Sequence, residues 1–180
     1  LQSSLKISDG KITLIKGSGI DLSGLPKLNR SSDQFTVTMA SRLLWSKGVK
    51  DFIEAAKIIS DRGLHVEFQL CGCPDPGNPD SVSEGYLSGL KSMKNMKILG
   101  HIDDILTVYS KSNVAVLPSY YGEGLPRTLI EASALGVPIV TTNMPGCSDA
   151  VIDGVTGFLI PPRRPDQLAK AIQKIYDSPH

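Results

Sequence analysis

Short runs of β-branched and aliphatic residues recur along this chain, each followed by a glycine- or proline-bearing turn and then by apolar residues at helical spacing. Phe35 to Met39, Val66 to Leu70, Met96 to Leu99, Val114 to Leu117, Val137 to Val140 and Phe158 to Ile160 read as strands. Ile12 to Ile15 is a further short strand, ahead of a glycine-punctuated turn from Lys16 to Asp21. Strands that alternate with helices at this spacing run parallel, because parallel neighbours need crossover connections. The expected fold class is α/β, a parallel sheet with helices on both faces.

The helices follow from the same pattern. Val49, Phe52, Ile53, Ala56 and Ile59 share one face, and Gly63 stands where a C-cap glycine belongs. Asp80 or Ser81 can cap a helix running to about Met93. Gly100 to Asp104 opens another, with Ile105, Leu106 and Tyr109 on one side. Thr128 to Leu135 forms a short apolar-rich helix, with Pro126 placed as its first residue, where a missing amide costs nothing. Beyond a Pro145-Gly146 turn come a short segment from Ser148 to Ile152, turns at Gly154 and Gly157, and a helix from Pro165 to about Tyr176. Leu22 to Gln34 reads as a connecting excursion. Cys71 to Pro79, with three prolines and two glycines, reads as a long surface loop.

With 180 residues the chain fits one ordinary domain. Its 41% hydrophobic and 21% charged residues are those of a soluble globular protein, and no apolar run approaches a bilayer span. Lys and Arg number 19 against 18 for Asp and Glu, so no global field draws in nucleic acid, and any anion site is local. The chain opens on Leu1 without a signal-like segment, which is expected of a fragment or a processed chain. Cys71, Cys73 and Cys147 leave an odd count and no zinc-type couples, in keeping with free thiols in a reducing cytoplasm.

The chemistry concentrates between Leu117 and Thr142. Glu123 sits in the loop after a strand, and Glu131 interrupts the apolar helix that follows, with seven residues between them. In open α/β sheets the carboxyl ends of the strands are where ligands bind. Leu129, Ile130, Ala132, Ala134 and Leu135 leave that helix little solvent face to offer a charge. An ionised carboxylate only accepts hydrogen bonds, so it suits a ligand rich in hydroxyl groups. Backbone amides at the helix start after Gly124, Leu125 and Pro126 favour an anion such as phosphate. A hydroxyl-rich ligand that carries phosphate is a nucleotide sugar. Arg42 and Lys47, in the loop after Phe35 to Met39, lie at the same sheet edge. Arg can bind a diphosphate bidentately and Lys adds a point charge.

Other motifs read more simply. Gly17-Ser18-Gly19 lacks the third glycine and the following helix of a dinucleotide loop, so it is a turn. Asp103 and Asp104 suit a helix start, and His65, His101 and His180 share no ligand spacing, so no metal site is expected.

Ser41-Arg42-Leu43 to Lys47-Gly48, then Pro118-Ser119, Glu123-Gly124-Leu125-Pro126 to Glu131-Ala132, Gly136-Val137-Pro138-Ile139-Val140, and Gly154 to Gly157 form an ordered set. This set resembles the C-terminal domain of retaining glycosyltransferases of family 4, the GT-B type, closest in flavour to bacterial capsule and O-antigen enzymes. The resemblance spans nearly the whole chain, from the Gly17 turn to the last helix. It implies a Rossmann-like half of a GT-B fold, with residues 1–180 as the C-terminal nucleotide-sugar-binding domain and the N-terminal acceptor domain absent from this chain.

The resemblance also implies roles. The residue matching Glu123 faces the donor sugar, and the one matching Glu131 binds the ribose hydroxyls. Arg42 and Lys47 hold the diphosphate with the amides of Gly124 and Leu125, ahead of Pro126. His101 and Ile102 fall where the nucleobase is contacted. The implied catalytic contacts are Arg42, Lys47 and Glu123, with Glu123 not a nucleophile. Transfer retains configuration without a metal, through a same-face oxocarbenium-like transition state, unlike the two-carboxylate plan of hydrolases. No cofactor is implied beyond a nucleotide-diphosphate sugar, with uridine diphosphate carrying a hexose or N-acetylhexosamine as the expected donor. The implied acceptor is a glycan or a polyprenyl-diphosphate-linked saccharide. The expected location is cytoplasmic, at the inner face of a bacterial membrane, with any membrane contact made through the absent domain. A non-catalytic nucleotide- or sugar-binding module and a phosphorylase or glycogen-synthase-like relative are alternatives on the same architecture.

Overall fold

The computed structural model describes residues 17, 19–30 and 33–178. The expected strand from Ile12 to Ile15 lies outside the described residues, as do Ser18 in the glycine turn and His180. Six strands form one sheet in the described residues: β1 (Phe35–Ala40), β2 (Val66–Cys71), β3 (Met96–Gly100), β4 (Val114–Leu117), β5 (Ile139–Thr142) and β6 (Gly157–Ile160). Their order is β3-β2-β1-β4-β5-β6, and every neighbouring pair is parallel. The chain steps outward from β1 to β3, then returns to place β4 beside β1. A topological switch point therefore lies between β1 and β4, where the helices that follow them leave to opposite faces.

Among the described residues five α-helices cover the sheet: α1 (Val49–Asp61), α2 (Glu84–Leu90), α3 (Ile105–Tyr109), α4 (Arg127–Ala134) and α5 (Pro165–Asp177). Right-handed crossovers put α1 and α2 on one face and α3 and α4 on the other, because the direction of travel across the sheet reverses at β4. In agreement, α1 packs on α5, and α3 on α4. All four residues of β4 are buried, as expected of a central parallel strand covered on both sides. Val49, Phe52, Ile53, Ala56 and Ile59 of α1 are fully buried, and Phe52 meets Phe68 of β2 edge to face at 5.3 Å.

Boundaries at α2, α4 and β5 differ from the sequence reading, each for a local reason. The helix expected from Asp80 or Ser81 begins at Glu84 and ends at Leu90. Asp80 is occupied by the Ser46 amide, Ser81 pairs with Leu44, and the cap falls to Ser83, whose hydroxyl accepts from the Tyr86 amide at 3.2 Å. Pro126 is the N-cap of α4 rather than its first residue, because its ψ of 127° is extended. The strand expected at Val137 starts at Ile139, since Gly136 and Val137 still donate to Ser133 and Ala132 in the turn that ends α4.

The segment 19–30 has no regular element, as expected, and runs along the α3–α4 side. The Asn29 amide donates to the Ser110 carbonyl at 2.8 Å, and Arg30 Nε to the Ser112 carbonyl at 3.0 Å. Among the described residues no helix is long and apolar enough to cross a membrane.

Candidate functional site

The loops after β1 and β4 meet over the switch point. The first carries Arg42 and a 3₁₀ turn from Trp45 to Lys47, and it enters α1 through Gly48. Gly48 has φ +83°, and a Cβ there would stand 2.1 Å from the Pro118 carbonyl oxygen. Only glycine lets the two loops lie this close. The Tyr120 amide then donates to the Ser46 carbonyl at 3.0 Å. This contact brings Lys47 and Glu123 together as an ion pair, with their side chains 17% and 15% exposed. Ser119, fully buried, donates its hydroxyl to Glu123 Oε1 at 2.8 Å. Each charge has its partner inside the fold, which lowers the cost of keeping both largely out of water.

The Glu123 loop is backed by the turn after β5. Gly146, at φ +82°, passes so near that a Cβ would lie 2.2 Å from the Glu123 carbonyl oxygen, and the Glu123 amide donates to Pro145 at 3.3 Å. Thr142 Oγ1 donates to the Ser119 carbonyl at 2.6 Å. Cys147 lies buried behind the same loop, and burial pushes its thiol above the ordinary range.

A cleft of about 740 Å³ opens between these loops, lined by Arg42, Lys47, Glu123 and Gly124 together with Asn78 and Asp80. Both belong to the stretch after β2, where the sequence reading took Asn78 as part of a plain surface loop and Asp80 as a candidate helix cap. That stretch docks on the Arg42 loop through Leu43 N to Cys73 O at 2.9 Å, Trp45 N to Asp80 O at 2.8 Å and Val82 N to Leu43 O at 2.8 Å. The Asp80 carboxylate accepts from the Ser46 amide at 3.0 Å and also from the Ser46 hydroxyl. Asp75 accepts from Arg42 Nη1 at 2.8 Å in a more exposed pair. A signal was available in the sequence: the loop follows a strand, so it emerges at the same carboxyl edge.

Glu131 is buried on α4, 8% exposed, as the apolar composition of that helix required. Arg127 Nε, one turn earlier, donates to its Oε1 at 2.9 Å while remaining 75% exposed. No side chain caps the start of α4. Leu125 and Pro126 are half-buried. Neither they nor Glu131 line the cleft itself; they sit beside it, toward the α3–α4 face. His101 and Ile102 follow β3 at the predicted edge but also lie outside the cleft lining. The reason is spacing, since β3 stands two strands from β1, on the order of 10 Å away. His101 is exposed and pairs with Asp103 at 3.1 Å, and Ile102 packs half-buried on the core. Asp104 caps α3, accepting from the Thr107 hydroxyl at 2.6 Å, and those bonds hold its carboxyl below the usual range.

Sequence reasoning missed one further group. Arg163, after β6, has φ +58° and lays its guanidinium 4.3 Å from the centre of the Tyr120 ring. Its backbone also donates to Asp51, at the start of α1, whose carboxyl is raised chiefly by burial and whose Oδ2 has no partner. A larger cavity, about 900 Å³, lies at the opposite edge of the sheet among Pro138, Val151, Ile152, Val155, Phe158 and Ile175. Its lining is mainly apolar, with Asp149, Lys174 and Asp177 among it.

Comparison with known proteins follows the same lines. The family described as glycosyl transferases group 1 matches residues 25–180. The chain is 32% identical over 144 residues to the capsular polysaccharide biosynthesis glycosyltransferase CapM of Staphylococcus aureus, covering 80% of this chain and 37% of that protein. It is 29% identical over 187 residues to the N,N'-diacetylbacillosaminyl-diphospho-undecaprenol alpha-1,3-N-acetylgalactosaminyltransferase of Campylobacter jejuni, covering 97% and 47%. Among solved structures, HepE of Anabaena in complex with UDP-glucose superposes with a TM-score of 0.70 at 28% identity, over 81% of this chain and 40% of HepE. Sucrose-phosphate synthase of Thermosynechococcus elongatus gives a TM-score of 0.75 at 30% identity, over 89% and 42%. The chain thus spans less than half the length of these relatives.

Proposed function

Because the chain belongs to the group 1 glycosyl transferases, we propose that it is the donor-binding, C-terminal domain of a retaining glycosyltransferase. An N-terminal domain beyond this chain would supply the acceptor site. The observation that carries this reading is the convergence of Lys47 and Glu123 from two loops at the switch point, in one cleft with Arg42. The donor is a uridine-diphosphate hexose or N-acetylhexosamine. The acceptor is a glycan or a lipid-linked saccharide in bacterial surface polysaccharide synthesis, carried by a polyprenyl diphosphate at the inner face of the membrane. Supporting the donor class is HepE, which holds UDP-glucose on the same architecture. The Campylobacter relative is named for a diphospho-undecaprenol acceptor, which supports the acceptor class.

In this reading Arg42 and Lys47, with the amides of Gly124 and Leu125 at the start of α4, receive the diphosphate. Charge accumulates there as the glycosidic bond breaks, and fixed cations and dipoles already in place stabilise it. Glu123 accepts from hydroxyls of the donor sugar, and Glu131 from the ribose. His101 and Ile102 border the path of the base. The departing diphosphate takes the acceptor proton on the face that it leaves, so the new bond keeps the old configuration. Glu123 orients rather than attacks.

Titration calorimetry with uridine and guanosine diphosphate sugars tests the assignment. Wild-type chain should bind a uridine diphosphate sugar. Arg42→Ala and Glu131→Ala should each weaken it about tenfold, as expected for losing a hydrogen bond to a charged group. Undiminished binding by both variants would move the site elsewhere, and no binding of any nucleotide would overturn the donor role.

A further inference from the structure

We propose that Ser119 is a positioning residue for donor-sugar recognition, holding the Glu123 carboxylate in place while Lys47 changes partners. The proposal rests on the donor-site reading above. Ser119 is 0% exposed and joins the loop after β1, its own loop and strand β5. Its hydroxyl has a single proton and faces three acceptors: Glu123 Oε1 at 2.8 Å, the Ser46 carbonyl at 3.1 Å and the Tyr121 carbonyl at 3.3 Å. The carboxylate is both the nearest acceptor and the only charged one, so the proton is directed there. The Tyr121 amide donates to the same hydroxyl at 3.4 Å, and Thr142 of β5 fixes the Ser119 carbonyl at 2.6 Å.

Glu123 is consequently held by two unequal hands. Oε1 is tied to a buried, short side chain anchored by β5. Oε2 is tied to the ammonium of Lys47, a point charge on a flexible four-carbon stem. An incoming diphosphate competes for Lys47, which leaves Oε2 free to accept from a sugar hydroxyl. The carboxylate keeps its aim during this exchange only if Oε1 stays bound to Ser119. Affinity for the sugar then depends on Ser119, and affinity for the diphosphate does not.

The test compares UDP with UDP-glucose and UDP-N-acetylglucosamine by calorimetry on wild type, Ser119→Ala, Glu123→Ala and the double variant. It is run on this chain and on the full-length protein. Ser119→Ala should leave UDP affinity within about twofold of wild type, while the tighter of the two nucleotide sugars weakens about tenfold. In the Glu123→Ala background the serine substitution should have no further effect, because it acts through the carboxylate. Equal weakening of UDP and nucleotide sugar, or a full further loss in the Glu123→Ala background, would overturn the positioning role and leave the donor site standing. Failure of wild type to bind any of the three overturns the donor-site reading and this inference with it. If Ser119→Ala does not fold, Ser119→Cys, a near-isosteric weak donor, should show the same selective loss at smaller size, and a uniform loss there overturns the role equally.

Discussion

Arg163 shows how a single residue can carry strain for the sake of a contact. Its left-handed backbone costs a non-glycine residue on the order of 1 kcal/mol, while an exposed cation–π contact with Tyr120 returns about 0.5–1 kcal/mol. The two effects are close in size and opposite in sign. Arg163→Gly should therefore change stability by less than about 1 kcal/mol, because it removes both. Arg163→Ala keeps the strain and loses the contact, so it should be less stable than Arg163→Gly by about 1 kcal/mol in urea denaturation. Equal stability of the two variants would remove the strain from the account. At this scale the sequence was informative where composition forces an outcome. The apolar neighbours of Glu131 did foretell its burial. Nothing in Pro161-Pro162-Arg163-Arg164 announced a positive φ, because the conformation is imposed by Tyr120 and Asp51, distant in sequence.

Among the elements, the loop between β2 and α2 does more than its proline and glycine content suggested. Its conformation is set by hydrogen bonds to the loop after β1, and Asp80 in turn fixes Ser46, next to Lys47. Asp80→Ala leaves the Ser46 amide and hydroxyl without their acceptor. The expected cost is about 1–2 kcal/mol of stability, the range for losing a hydrogen-bonded partner that is partly buried. Amide hydrogen exchange should quicken across residues 42–47 while β4 and β5 stay protected. Uniform acceleration through the sheet would mean that the loop is not an independent unit. Helix and strand existence was legible because periodicity is local. The ends of α2, α4 and β5 shifted because Asp80, Pro126 and Val137 were claimed by partners or backbone angles that lie outside any sequence window.

For the whole molecule, one sheet and its covering helices bring the proposed binding groups to one edge. Occupation of that edge should stabilise the native state: ligand at 100 times its dissociation constant adds about 2.7 kcal/mol. In a domain of this size that corresponds to a rise in Tm of roughly 5–10 °C, since each kcal/mol moves Tm by about 2–4 °C. Thermal unfolding with and without the tightest uridine diphosphate sugar measures this, and no rise at saturation would contradict binding to the native fold. Sugar transfer is expected of the full-length protein and not of this chain alone; comparable turnover by both would refute the need for an acceptor domain. The sequence by itself determined the α/β class, the parallel sense of the strands and the ordered set from Arg42 to Glu131, because apolar spacing and crossover connections are properties of consecutive residues. Only the tertiary structure decided which loops meet. The strand order that sets β4 beside β1, and the missing Cβ of Gly48, bring Lys47 onto Glu123 and set Ser119 against the Ser46 carbonyl. The Lys47–Glu123 and Ser46–Ser119 contacts join residues 76 and 73 positions apart, where packing against the whole sheet decides and local pattern is silent.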